Sequence, residues 1–276
     1  MIPQITKALR ACLSIAFSFI YIFSTAQDST SNNLSVLNGH SQPIYYSPGF
    51  VDRATAMANF IDSAEVFFQN TLSFKPRARL FILEEKDWSK EAATPMKGTY
   101  GFPHMIEGEK LVIAATDNGF WKSMLPPAAG LPAPVVARMN QAYRQSDSSY
   151  SRQAFFDLLA IHELGHAYTI QAKLTMQRHW MSELFVNIML HTYIAEEKKE
   201  LLPALELFPE MTIANGTSGY QYTSLEDFER VYTNFEISPQ NYGWYQCCQT
   251  YLRKRREAGV AEIMGNSFFA KRKVIR

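Results

Sequence analysis

Cysteine is nearly missing from this chain. Its 276 residues hold three, Cys12, Cys247 and Cys248. Cys12 sits inside an N-terminal apolar run, and the other two are sequence neighbours, whose direct disulfide would be a strained ring. A disulfide framework is therefore excluded, and the fold must rest on its core. Cys247 and Cys248 read as small buried residues of a helix. Charge of one sign is also missing. Lys and Arg number 27 against 26 Asp and Glu, a net charge of +1. That balance argues against nucleic acid or an anionic membrane surface as a partner. No internal repeat is present. The long apolar run at residues 11–23 is short for a membrane span.

What is there starts with that run. Lys7 and Arg10 precede it, and the small residues Ser24-Thr25-Ala26 follow it. This order, positive then apolar then small, reads as a secretory signal peptide over residues 1–26, cleaved after Ala26. Cys12 lies too early in the run for a lipoprotein cysteine. Cleavage leaves 25 basic and 26 acidic residues. The mature chain is expected to be secreted or periplasmic, with no stable membrane insertion. Its composition, 47% hydrophobic and 19% charged, is that of a globular protein with a sizeable core.

Residues 27–40 are rich in Ser, Asn and Thr and read as a disordered lead-in. Ile44-Tyr45-Tyr46 reads as a short strand. Residues 52–72 carry Ala56, Phe60, Ala64, Phe67 and Phe68 at helical spacing. Residues 77–84 form a nearly continuous apolar strand, as in a sheet covered on both faces. Residues 110–115 form another, and residues 106–110 read as the hairpin turn before it. Gly98, Gly101 and Pro103 suit an edge strand or, alternatively, an irregular loop. Residues 121–134, with four prolines, read as a loop that walls a cleft. A short helix is expected over 135–144. Longer helices are expected over 151–173, with Ser149 or Ser151 as a cap, then over 182–202, 224–235 and 239–258. Strands are thus confined to the first half and helices fill the second. The expected class is α+β: an α/β part at 27–150, a helical part at 151–276, and one helix between a sheet lobe and a helical lobe.

That helix carries His162-Glu163-Leu164-Gly165-His166. Residues four apart share a helix face, so the two imidazoles can hold one side of a zinc ion, with Glu163 beside it. The pattern alone is moderately specific; its place after the apolar residues Phe155, Leu158, Leu159 and Ile161 strengthens it. Gly165 costs about 1 kcal/mol in a helix relative to Ala, which points to a neighbour approaching closely. A catalytic zinc needs a third protein ligand. The metzincin spacing places Ala172 where a histidine is needed, so that option fails. Glu183 is the better candidate. It is a lone carboxylate among Leu184, Phe185, Val186, Ile188 and Met189, where an unpaired charge would be costly to bury.

The two segments His162-Glu163-Leu164-Gly165-His166 and Trp180-Met181-Ser182-Glu183 together resemble the gluzincin metallopeptidases. The resemblance implies a zincin-like fold and one Zn2+ held by His162, His166 and Glu183. It implies Glu163 as the base that takes a proton from the metal's water and passes it to the leaving amine. Asn187, one turn after Glu183, matches a position that bonds a zinc histidine in several members. Tyr242 or Tyr245 would supply the donor to the oxyanion. Tyr100, Gly101 and Phe102 would lie on the edge strand that pairs with an extended substrate. The Gly-x-Met-Glu-Asn element of the aminopeptidase members is missing, so an endopeptidase acting on a peptide or protein is the implied activity. The competing function is a zinc-stabilised binding protein on the same scaffold, without turnover. His104 is a further candidate for substrate contact, and His40, His179 and His191 are read as bystanders.

Overall fold

The computed structural model describes residues 33–93, 98–123, 125–214, 218 and 220–233. The signal peptide expected at 1–26, Tyr242, Tyr245, Cys247, Cys248 and the helix expected at 239–258 lie outside the described residues.

Five strands form one mixed sheet: β1 (Ser35–Leu37), β2 (Ile44–Tyr46), β3 (Arg79–Leu83), β4 (His104–Ile106) and β5 (Lys110–Ala114), in the order β1-β2-β3-β5-β4. The β2–β3 and β3–β5 pairs are parallel, and the outer pairs β1–β2 and β4–β5 are antiparallel. The central strands carry the apolar runs. Leu80 to Leu83 and Leu111 to Ala114 are each at most 3% exposed, as expected of strands covered on both faces.

Eight α-helices are described: α1 (Val51–Leu72), α2 (Glu85–Glu91), α3 (Gly119–Ser123), α4 (Ala133–Tyr143), α5 (Gln153–Gln171), α6 (His179–Glu197), α7 (Leu202–Ala214) and α8 (Leu225–Thr233). The α1 stripe Ala54, Met57, Ala58, Ile61, Ala64 and Phe68 is buried. Such a 3–4 residue spacing puts one face of the helix on the core. Helix α5 is central: it touches α1, α4, α6, α7, β4 and β5. Its N-cap is Arg152, not the expected Ser149 or Ser151, and the Ser151 hydroxyl just before it accepts the N–H of Gln153 at 3.1 Å. Strands precede helices α4 to α8, so the class is α+β, and all described residues belong to one compact unit from Asn33 onward.

Several local expectations change. Residues 35–37 of the polar lead-in form β1, and His40 bonds Asp62 of α1 at 2.7 Å instead of lying in a free tail. The 121–134 loop is shorter than expected, because Trp121 is buried inside α3 and Pro134 sits in the first turn of α4, where a missing N–H costs nothing. The second helix of the site begins at His179, three residues early, and ends at Glu197. The Leu-rich residues after it make α7, a separate helix that the periodicity did not separate.

Candidate metal centre

The site is built where α5 and α6 cross. His162 meets Asn187 while His166 meets Glu183, so the two helices run antiparallel here. Gly165 makes the approach possible. A Cβ on it would lie 2.8 Å from Val186 Cβ and 2.9 Å from Val186 Cγ1, closer than packed carbons tolerate. The close neighbour inferred from the sequence is therefore α6 itself.

Three side chains that could ligate a metal converge. His162 Nε2 and His166 Nε2 are 3.3 Å apart. Glu183 Oε2 is 3.1 Å from the first nitrogen, and Glu183 Oε1 is 3.4 Å from the second. Zinc–ligand bonds of about 2.0–2.1 Å in tetrahedral geometry space the ligand atoms about 3.3 Å apart. The edge between the two nitrogens matches that length, and each nitrogen lies at a similar distance from one of the two Glu183 oxygens. Among the described residues, this is the group of His, Cys, Asp and Glu side chains able to hold a metal ion.

The surroundings fix how each group presents itself. Asn187 Nδ2 donates to the carbonyl of Glu183 at 2.8 Å, which turns its Oδ1 toward His162. His162 Nδ1 then donates to Oδ1 at 3.0 Å. The neutral ring therefore carries its proton on Nδ1 and offers Nε2 to a metal. Glu163 sits beside the triangle without joining it. Its Oε2 accepts the N–H of Met105 at 2.9 Å, and its Oε1 is 3.9 Å from His162 Nε2.

Burial makes the charges matter. His162, Glu163 and Glu183 are all below 10% exposed, and His166 is partly exposed. Burial alone would push the His162 pKa down. The hydrogen bond and charge of Glu183, with Glu163 and Asn187, outweigh it and raise it to about 9. His166 goes to about 4, lowered by burial and by the neighbouring His162 charge. Glu163 rises to about 7, chiefly through burial. Two buried carboxyl groups thus lie against two imidazoles, and keeping their charge in the interior calls for positive charge nearby. A divalent cation on the two Nε2 atoms and Glu183 would supply it. The residues fit zinc by donor type, spacing and charge.

The other predicted residues lie on the sheet side. The strand next to the site is not formed by Tyr100 to Pro103 but begins at His104. Gly101 has φ +104, and a Cβ there would lie 2.5 Å from Asn118 Nδ2, so this stretch turns instead of extending. The Gly101 carbonyl accepts the indole N–H of Trp121 at 2.7 Å. Tyr100 donates its hydroxyl toward the carbonyl of Leu83 at 3.1 Å and lies 2.9 Å from Thr116 Oγ1. Phe102 packs against Phe120 and Phe156. These three residues brace the start of β4.

His104 is also structural. Its Nε2 accepts the N–H of Ala93 at 3.1 Å, its Nδ1 donates to the carbonyl of Phe102 at 3.0 Å, and its ring packs edge-on against Trp88. His191 pairs with Glu206 at 3.0 Å and His179 with Glu229 at 3.0 Å, both away from the triangle's ligand atoms. Met105 is the participant that sequence reasoning missed. It contributes a backbone amide, which leaves no mark on side-chain pattern.

Neither models of protein families, nor curated proteins, nor solved structures match the chain.

Proposed function

We propose that this protein is a zinc-dependent metallopeptidase of gluzincin type that hydrolyses peptide bonds, with a zincin-like arrangement of sheet, α5 and following helices. One observation carries the reading: the side chains of His162, His166 and Glu183 bring their potential ligand atoms to 3.1–3.4 Å of one another, with the Glu163 carboxylate beside them. His162, His166 and Glu183 would hold the ion. Zinc, when bound, lowers the pKa of a water toward about 7 and polarises a scissile carbonyl. Glu163 takes the proton of the attacking water and gives it to the leaving amine. Asn187 holds the His162 ring; an amide orients it but raises its basicity less than a carboxylate would. Tyr242 or Tyr245 is the proposed donor to the developing oxyanion.

The substrate is a peptide or protein lying beside the outer strand β4, and endopeptidase activity is the form proposed. The chain acts outside the cytoplasm after loss of residues 1–26. No helix among the described residues is long and apolar enough to cross a membrane.

Metal analysis together with digestion of a broad peptide library, with and without chelator, tests the reading. One zinc per chain and chelator-sensitive cleavage are expected. Glu163→Gln should keep the zinc and lose about 10²–10⁴-fold in kcat, the range of a general base. A purified chain that takes up no zinc overturns the proposal. Zinc without turnover places the chain among binding proteins.

A further inference from the structure

Helix α5 does not hold Glu163 alone. The carboxylate oxygen Oε2 accepts the backbone N–H of Met105 at 2.9 Å, and Met105 is the middle residue of the outer strand β4. In an antiparallel pair, alternate residues turn their N–H and C=O away from the neighbouring strand. The register places Met105 opposite Leu111, between the pairs His104–Val112 and Ile106–Lys110. Its N–H reaches Glu163, so Met105 occupies the outward position. A backbone donor to a carboxylate is a charge-assisted, directional bond. The two oxygens of Glu163 are thereby made unequal. One is fixed on the sheet, and the other, 3.9 Å from His162 Nε2, is on the side of the ligand triangle.

A second set of contacts locks the hairpin to the same helix. The β4–β5 turn places Glu107 at φ 52 and Gly108 at φ 73. Gly108 lies against Ile170 of α5, where a Cβ would come within 2.9 Å of Ile170 Cγ2. Gln171, the last residue of α5, donates its amide to the carbonyl of Gly108 at 2.7 Å and to that of Arg77 at 2.8 Å. The helix that carries Glu163 therefore grips the hairpin near its turn, two helical turns beyond the base. A one-residue slip of β4 would turn the Met105 amide inward.

Resting on the peptidase reading, we propose that the Met105 backbone amide is the positioning group of the general base, holding Glu163 by Oε2 and leaving Oε1 to take the proton. The outer strand then contributes to the reaction through its main chain. This donor belongs to Glu163 and not to a substrate strand. A peptide lying along β4 pairs outside it, because a competing acceptor would displace the base.

Selective 15N-methionine labelling of the full chain tests the tether without turnover. The Met105 amide proton is expected downfield in the wild type and upfield of that position in Glu163→Ala. A resonance that does not move overturns the inference. Replacing Met105 by its α-hydroxy analogue removes the N–H and keeps the side chain. This ester should lower kcat by roughly 10- to 100-fold, the scale of a misplaced catalytic group, with KM and zinc content unchanged. An unchanged kcat overturns the positioning role, as does a loss of zinc in step with kcat. A wild-type chain that binds zinc but cleaves nothing overturns the peptidase reading and the base role with it. An active chain whose Met105 resonance ignores residue 163 overturns the tether alone.

Discussion

The α5–α6 pair and the β4 side of the site hold their groups by different means. On the helices, side chains do the work, and helical spacing sets their positions: His162 and His166 four apart on α5, Glu183 and Asn187 four apart on α6. On the sheet side, the group that reaches the site is a backbone amide, and the nearby aromatic and histidine side chains are spent on bracing. A helical site tolerates sequence change anywhere except at its few marked positions. A backbone site depends on register, and register is set by many small contacts.

The largest expected effect that separates the two sides comes from Gly165→Ala. The new methyl meets Val186 near its backbone, so α6 must move. Overpacking of this kind costs about 1–3 kcal/mol, offset by at most about 1 kcal/mol of helix propensity. Thermal unfolding should show a net loss of stability, and zinc affinity should fall because α6 carries Glu183. If the variant is as stable as the wild type and binds zinc equally well, the close approach does not set the ligand triangle.

Next comes Asn187→Ala, which removes the acceptor from His162 Nδ1. Competition with a chelator should show zinc binding about 10- to 100-fold weaker, the usual cost of losing such a partner. The fold should be unaffected. Wild-type affinity in this variant would mean that the ring is oriented by packing alone.

Tyr100→Phe probes the sheet side. It removes the hydroxyl that meets Leu83, Thr116 and the N–H of Thr116. A loss of roughly 0.5–1.5 kcal/mol per net hydrogen bond is expected in denaturant unfolding, with zinc affinity unchanged. A drop in zinc affinity would erase the contrast between the two sides.

The smallest effect is a pH dependence carried by His104. Its pKa lies below the ordinary 6.5, mainly because the ring is buried, with Lys110 adding to the shift and the Phe102 carbonyl opposing it. A lowered histidine pKa means that the folded state prefers the neutral ring. Its contribution is complete above about pH 6.5 and is lost as pH falls below that value. Melting of the metal-free chain from pH 7 down to pH 5 should therefore decline more steeply in the wild type than in His104→Gln. Parallel curves would show that the ring titrates without cost.

The contrast also explains what could be read in advance. His162, Glu163 and His166 were legible from spacing, Glu183 from a lone carboxylate in an apolar helix, Gly165 from its cost there, and the central strands from their continuous apolar runs. The strand β1 was hidden because three residues in a polar segment gain their hydrogen bonds from β2, a partner several residues away. The outer strand was placed a few residues too early, since glycine and proline signal irregular backbone without saying where extension resumes. The internal partners of Tyr100 and His104, namely Leu83, Thr116, Ala93 and Phe102, were likewise invisible in the sequence, because they lie on other segments or on the backbone.

By itself, the sequence determined the α+β order of elements, the identity of the candidate ligands and base, and the helix faces that carry them. These follow from local periodicity, because a helix places i and i+4 side by side whatever surrounds it. Only the tertiary structure decided that Glu183 closes the triangle, that Asn187 turns the His162 ring, and that the Met105 amide holds Glu163. Those contacts join α5 to α6 and α5 to β4, residues 17 to 58 positions apart. Distances of that kind are set by how helices and strands pack, and no local pattern encodes them.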